Sequence, residues 1–343
     1  MEDFFVNRRN SDQIQPKATE WAARVLGREV TLIPLAGDGG ARRYFRLPGE
    51  EMLLLYGPDK AENMAWLCIG RHLWYKNLAV PRILANDLEA GFFLLEDLGD
   101  HHLVDPHNNP ALSSVDPALF YPAATELLAR LHNEALEGFN TDWCFQTKSY
   151  NAAMIEKQEI DYFLEFMILN YLKWPKLPLG IKREVKSLAR LAAPLPEAWV
   201  LMHRDFQGRN LLVKNNRVYA IDWQGARPGA ATYDLTSLLE ESPHHPLGLE
   251  FKEELIRHYL ACRGKTHQQK SFRRELALVG AARLMQALGA YAKLTMAGKS
   301  KFKAYMAPTF ESLQNYLRYP NLMDFPILRG LVDEAAAKLS EMD

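Results

Sequence analysis

Apolar residues along this chain recur at helical spacing, give way to short alternating runs, and return to helical spacing over most of the second half. From Pro16 to Leu26 the pattern predicts a helix with Trp21, Val25 and Leu26 on one side and Gly27 placed to cap it. Three short runs follow, Val30 to Leu35, Tyr44 to Leu47 and Glu51 to Tyr56, joined by glycine-containing turns. They predict an antiparallel meander. Glu62 to Leu78 has helical spacing and would pack behind that sheet, and Val80 to Leu84 and Gly91 to Leu95 read as two more strands. His101 to Pro117 is rich in Pro, Asn, Asp and His, a loop composition. Pro122 to His132 and Glu156 to Trp174 are then helical, the second placing Ile160, Phe163, Phe166, Met167 and Tyr171 mostly on one face. Leu249 to Cys262, Phe272 to Leu294 and Met306 to Leu317 complete a mainly helical second half, so the fold class is α+β.

One stretch interrupts the helical pattern. The apolar strand Ala198 to Met202 leads into the polar octapeptide HRDFQGRN at 203–210, then the pair Leu211 and Leu212, a turn at 214–216, and a strand from Arg217 to Ile221 that ends in Asp222. This strand-loop-strand frame spaces Asp205, Asn210 and Asp222 as phosphoryl transfer requires, since that reaction is limited by positioning and by phosphate charge. Asp205 would orient an acceptor hydroxyl and take its proton. Asn210 and Asp222 offer hard oxygen ligands to magnesium, and His203 and Arg204 would brace the loop.

Here the chain resembles the aminoglycoside phosphotransferase and choline kinase superfamily, relatives of the protein kinases that act on small molecules. The motif continues as WQGARPGAATYDLTSLLEES, with Asp234 where that superfamily places a structural aspartate opening a helix. GGARRYFRL, GFFLLEDLGD and RLMQALGAYAKL are similar to the bacterial kinases that phosphorylate N-acetylmuramic acid and N-acetylglucosamine at the anomeric position. The resemblance implies a protein-kinase-like fold, with an ATP-covering lobe over residues 1–97 and a catalytic and acceptor-binding lobe over 98–343. It also implies ATP and Mg2+ as cofactors. An N-acetylated amino sugar would be the acceptor, in cell-wall recycling. Other hydroxylated metabolites (an aminoglycoside, choline, an amino acid) and a nucleotide-binding pseudokinase are the alternatives.

The turn GDGGARRYF holds Gly37, Gly39 and Gly40, which let backbone amides approach phosphate oxygens, although a plain hairpin turn uses the same residues. Kinases carry a phosphate-gripping lysine on the third strand, and EMLLLYG has none. Arg43, or else Lys60, is expected to supply that charge, with Glu62 as its partner. Backbone groups at Glu96 and Leu98, in the segment where the superfamily has its hinge, would read adenine. Arg283 and Gln286 share a helix face placed by resemblance near the acceptor. Trp143, Phe145, Tyr150, Tyr162 and Trp174 are candidates for sugar stacking, with core packing the preferred reading for most of them.

Charge and composition narrow the partners. A formal net charge of −1 gives neither nucleic acid nor a membrane surface a strong electrostatic handle, and the basic run KLTMAGKSKFK reads as a solvated turn between helices. No stretch approaches the roughly 18 apolar residues of a membrane span. Cys68, Cys144 and Cys262 are far apart and in no metal-ligand spacing, which fits reduced thiols in the cytoplasm. His101, His102 and His107 lack acids in register and are not expected to bind metal. Acceptor pockets for cations usually need several acids, and the Glu-Glu-Ser run after the Asp234 helix supplies only Glu240 and Glu241.

Overall fold

The computed structural model of the chain describes residues 2–35, 41–104, 117–240, 247–322 and 324–342. Its N-terminal part is a five-stranded antiparallel sheet in the order β1-β2-β3-β5-β4, formed by β1 (Ile33–Pro34), β2 (Arg43–Arg46), β3 (Met52–Tyr56), β4 (Ile83–Asp87) and β5 (Phe92–Glu96). Side chains alternate across a strand, so each strand feeds two cores. Phe45, Leu54, Phe92 and Leu94 pack under α1 (Glu2–Leu26), whose Trp21 stacks on Phe92 at 5.6 Å. Leu55, Phe93 and Leu95 face α2 (Lys60–Tyr75), whose first turn is capped by the Asp59 carboxylate accepting the Glu62 N–H.

Three of the boundaries that differ from the sequence reading have a proline nearby. α1 extends upstream to Glu2 and carries Pro16 inside it, losing one backbone bond there. β1 shrinks to two residues because Pro34 has no N–H to donate, which suits an edge strand. β4 starts at Ile83, beyond Pro81, and Leu78, Ala79 and Val80 form a buried connector instead.

The larger C-terminal part is mainly helical. α3 (Tyr121–Glu134) is followed by a continuous helix over residues 152–171 in which α4 (Ala152–Met154) and α5 (Asp161–Phe163) alternate with π-helical stretches, Ile155–Ile160 and Leu164–Tyr171. Then come α6 (Ile181–Ala192), β6 (Val200–Met202), β7 (Leu211–Lys214), β8 (Arg217–Ala220), β9 (Arg227–Gly229), α7 (Ala231–Leu239), α8 (Leu249–Cys262), α9 (Gln269–Met296), α10 (Met306–Leu317) and α11 (Pro326–Glu341). β6 pairs with β9 and β7 with β8 as antiparallel ribbons that carry the polar loop between them. α9 runs through the core, and two glycines admit its neighbours. A Cβ at Gly280 would lie 2.3 Å from the Tyr316 ring, and one at Gly289 2.6 Å from the Tyr162 ring.

α2 is fastened to the C-terminal part through Trp223, directly after Asp222. The Trp223 indole donates to the Trp66 carbonyl at 2.8 Å and stacks on the Trp66 ring at 4.9 Å, while Gly70 leaves room for it. Among the described residues no helix is long and apolar enough to cross a membrane.

Candidate active site

The polar loop is held from beneath by Asp234, which is fully buried on α7. Its two oxygens accept the successive backbone N–H groups of His203, at 2.6 Å, and Arg204, at 2.7 Å. Two adjacent amides converging on one carboxylate form an anion-binding concavity, and it over-determines the left-handed Arg204 (φ 79°), a conformation that strains a residue bearing a Cβ. Behind Asp234 the chain of donors continues. His132 Nε2 donates to Asp234 at 3.1 Å, so its Nδ1 accepts from the Tyr259 hydroxyl at 2.6 Å, and Arg263 donates to that hydroxyl at 2.7 Å. Burial holds the His132 pKa down to about 4, so the ring is neutral at pH 7. The His203 ring is buried edge-on to Phe206 and neither of its nitrogens has a partner, so this residue braces the loop through its backbone.

Above this clamp, hydrogen bonds to backbone carbonyls tie the segments that carry Asp205, Asn210 and Asp222 to one another. The Asn210 amide nitrogen donates to the Asp205 carbonyl at 2.9 Å, which turns its Oδ1 away and leaves that oxygen free to act as a ligand. The Ile221 N–H donates to the Asn210 carbonyl at 3.0 Å, setting Asp222 beside Asn210. Asp222 is left-handed (φ 68°), and the turn after it folds back so that a Cβ on Gly225 would sit 3.5 Å from Asp205 Oδ2.

Gly37, Gly39 and Gly40 lie outside the described residues. Lys60 pairs with Glu89 on the exposed surface, and Arg43 shares with Phe45 the strand face that meets α1, its Nη1 donating to the Arg42 carbonyl at 3.1 Å. Arg42 is the arginine that enters the cleft. It stands 3.2 Å from Glu62 Oε1 and 3.6 Å from Asp222 Oδ1, and it donates to Gln224 Oε1 at 3.0 Å. Gln224 in turn donates to Asp222 at 2.9 Å. Tyr44, two residues along the same face, lies against this cluster, and burial pushes its hydroxyl up to about 12.

At the end of β5 the Glu96 carboxylate accepts the Arg82 N–H at 3.3 Å and Leu98 is buried. Asp97 is tied down by Arg46, which also grips Asp100, and by Lys214, which donates to the Asp97 carbonyl at 2.9 Å. The segment between the two parts of the chain is thereby fixed by ion pairs.

On the opposite side of Asp205, three arginines lie within the electrostatic reach of its carboxylate: Arg204, Arg227 and Arg283. Arg204 donates to Gln146 Oε1 at 3.1 Å and Arg227 to the Gly225 carbonyl at 2.9 Å. Arg283 is buried on α9, stacks over Tyr233, and donates to Ser237 at 2.9 Å and Gln286 at 2.8 Å, so the two residues predicted to share a face do so. Sequence reasoning missed Glu159, fully buried on the first π-helical stretch. Its Oε2 accepts from the Tyr150 hydroxyl at 2.8 Å, its Oε1 has no hydrogen-bond partner, and burial pushes its carboxyl up to about 7. The alternation of apolar residues in this helix pointed to a core, and nothing in it marked one glutamate among several as the buried one.

The remaining candidates are packed elsewhere. Trp143 lies against His72 and Phe139, Phe145 packs on the central core, Tyr162 against Gly289 and under Lys293, and Trp174 under Lys338. Tyr150, fully buried, reaches Glu159. Glu240 is consumed by Lys252, Ser312 and Tyr316, and Glu241 lies outside the described residues. His107 also lies outside them, and His102 Nδ1 bonds the Arg209 carbonyl at 2.6 Å.

Residues 31–275 match the family described as the phosphotransferase enzyme family. The chain belongs to that family. Curated relatives include the N-acetylmuramate/N-acetylglucosamine kinase of Pseudomonas aeruginosa, 30% identical over 224 residues, a match covering 62% of this chain and 60% of that protein. The kinase of the same name from Neisseria meningitidis is 27% identical over 322 residues, covering 89% of this chain and 90% of that protein. The chain thus spans about 60% of the Pseudomonas relative's length in that match. Among solved structures, a choline/ethanolamine kinase family protein from Mesorhizobium loti superposes with a TM-score of 0.60 at 18% identity, covering 94% of this chain and 99% of that one. The fold is kinase-like. The donor set at the candidate site fits a substrate-bound magnesium: an outward amide oxygen on Asn210 and a carboxylate on Asp222, both hard ligands.

Proposed function

We propose that this phosphotransferase is an ATP- and Mg2+-dependent small-molecule kinase that phosphorylates the anomeric hydroxyl of N-acetylmuramic acid or N-acetylglucosamine, in the cytoplasm, as part of cell-wall sugar recycling. The observation that carries the kinase reading is the clamped loop, in which Asn210 and Asp222 stand side by side and the turn after Asp222 closes on Asp205. Asp205 aligns the acceptor hydroxyl and receives its proton as the new oxygen–phosphorus bond forms and the bond to the nucleoside diphosphate oxygen breaks. Asn210 Oδ1 and the Asp222 carboxylate would hold the metal, which when bound neutralises phosphate charge. Asp234 keeps the loop from relaxing by engaging two of its backbone amides.

The amino-sugar acceptor is supported by charge as well as by the relatives' names. Choline and aminoglycosides are cations, yet Arg204, Arg227 and Arg283 all lie within electrostatic reach of Asp205, and burial drives the neighbouring Glu159 carboxyl toward its neutral form. Glu240, the acid that could have served a cation, already has Lys252 at 2.8 Å. A neutral or anionic sugar meets no such conflict.

The test is magnesium-dependent ATP consumption across N-acetylmuramic acid, N-acetylglucosamine, aminoglycosides, choline and simple hexoses, with the Asp205→Asn protein as blank. Turnover with the acetylated sugars is the expected result. Turnover with a cationic acceptor alone would remove the sugar assignment, and nucleotide binding without turnover of any acceptor would favour a pseudokinase.

A further inference from the structure

We infer that Arg42 is the phosphate-gripping cation of this enzyme, supplying from the start of β2 the charge that kinases usually place as a lysine on the third strand. β3 reads MLLLY and has no cation to offer. Arg42 follows shortly after the glycine-rich turn and lies on the inner face of the sheet, where its guanidinium bridges Glu62 on α2 and the metal-ligating carboxylate of Asp222. Any phosphate oxygens sharing a metal with Asp222 must come close to it.

The geometry argues for a ligand over a purely structural ion pair. The Arg42 side chain is only 10% exposed; the Gln224 amide oxygen accepts from Nη1 and Glu62 Oε1 stands 3.2 Å from Nη2, yet Nε has no hydrogen-bond partner. Unsatisfied donors on a buried guanidinium are costly, and a planar fork of N–H groups is matched by phosphate oxygens. Its two acidic neighbours are 29% and 37% exposed, so they are partly hydrated and can yield the cation to a more highly charged partner. Glu62 is held in place by the Asp59-capped start of α2, and α2 itself is bolted to the Asp222 turn by Trp223. In the free chain Arg42 screens two carboxylates from each other; with nucleotide bound, Glu62 orients it and its unpartnered Nε side meets phosphate.

This inference rests on the kinase reading, and adenosine separates the two. Affinities for Mg·ATP and for adenosine, which has no phosphates, are measured by calorimetry without acceptor on the wild type and on Arg42→Ala, Arg42→Lys and Arg43→Ala. Arg42→Ala is expected to weaken Mg·ATP on the order of tenfold to a hundredfold while adenosine affinity stays within about twofold. Arg42→Lys should recover part of the loss, and Arg43→Ala should bind both ligands as the wild type does. Equal loss of adenosine and Mg·ATP in Arg42→Ala would mark a structural role and overturn the inference. So would unchanged Mg·ATP affinity, or a loss that appears in Arg43→Ala instead. A wild type that binds neither ligand would fell the kinase reading itself, and this inference with it.

Discussion

Asp234 and Glu159 are both fully buried carboxylic acids close to Arg204, yet their surroundings differ. Asp234 accepts from His203, Arg204 and His132, and the donor chain behind it continues through Tyr259 to Arg263. Glu159 accepts from Tyr150 on one oxygen and has nothing on the other. A satisfied buried network rigidifies the backbone it touches, whereas an unsatisfied oxygen costs about 1–3 kcal/mol. The loop floor is built for stability. The wall carrying Glu159 keeps a feature that stability alone does not justify, and such features concentrate at functional sites.

The largest expected effect lies at the junction of the two regions. Asp205→Asn should lower turnover by roughly 100- to 10,000-fold while leaving Mg·ATP affinity intact, measured by steady-state kinetics and calorimetry. Next, Asp234→Ala strips three donors of their buried acceptor, and urea denaturation should show a loss on the order of 3–5 kcal/mol. Glu159→Gln should do the reverse. The Glu159 carboxyl ionises near 4.5 when unfolded and at about 7 when folded, so the unfolded state sheds its proton first and the wild type loses stability as pH rises from 4.5 to 7. Glu159→Gln should therefore be more stable than wild type by up to roughly 3 kcal/mol at pH 8, the gap closing below pH 4.5.

His132 sets the opposite slope. Its pKa falls from 6.5 unfolded to about 4 folded, so the unfolded state takes up a proton first and stability is lost as pH falls from 6.5 to 4. In the Glu159→Gln background this loss, up to roughly 3 kcal/mol, should appear without the opposing term. Equal pH profiles for wild type and Glu159→Gln would erase the contrast between the two regions. The smallest effect is at the contact between α2 and the Asp222 turn, where a Cβ at Gly70 would meet Trp223 at 2.6 Å. Gly70→Ala should cost about 1–3 kcal/mol by thermal denaturation.

Much of this was legible because it is local. The span from 203 to 222 is a short strand-loop-strand unit in which spacing along the chain nearly equals arrangement in space, so Asp205, Asn210 and Asp222 were readable as a set. The helices α8 and α10 matched their predicted limits for a similar reason, since one uninterrupted apolar stripe defines each. Helices α6 and α11 fall outside the elements read from the sequence, although Ile181, Val185, Leu188 and Ala192 in α6 keep helical spacing. The short strand β9 is different, since Arg227–Gly229 resembles a turn and becomes a strand only through pairing with β6.

The sequence by itself determined the α+β class and the strand-loop-strand frame that carries Asp205, Asn210 and Asp222, because those depend on residue type and on neighbours within a few positions. Tertiary structure decided which of two adjacent arginines faces the cleft. Strand parity puts Arg42 and Arg43 on opposite sides, and only the packing of Phe45 under α1 says which side is which. It also decided that Glu159, among the glutamates of one helix, is the buried one, since burial depends on α9 and Tyr150, which lie far away or off the helix in sequence. Local chemistry is written in spacing. The sign and solvation of a charge are set by what the rest of the chain folds against it.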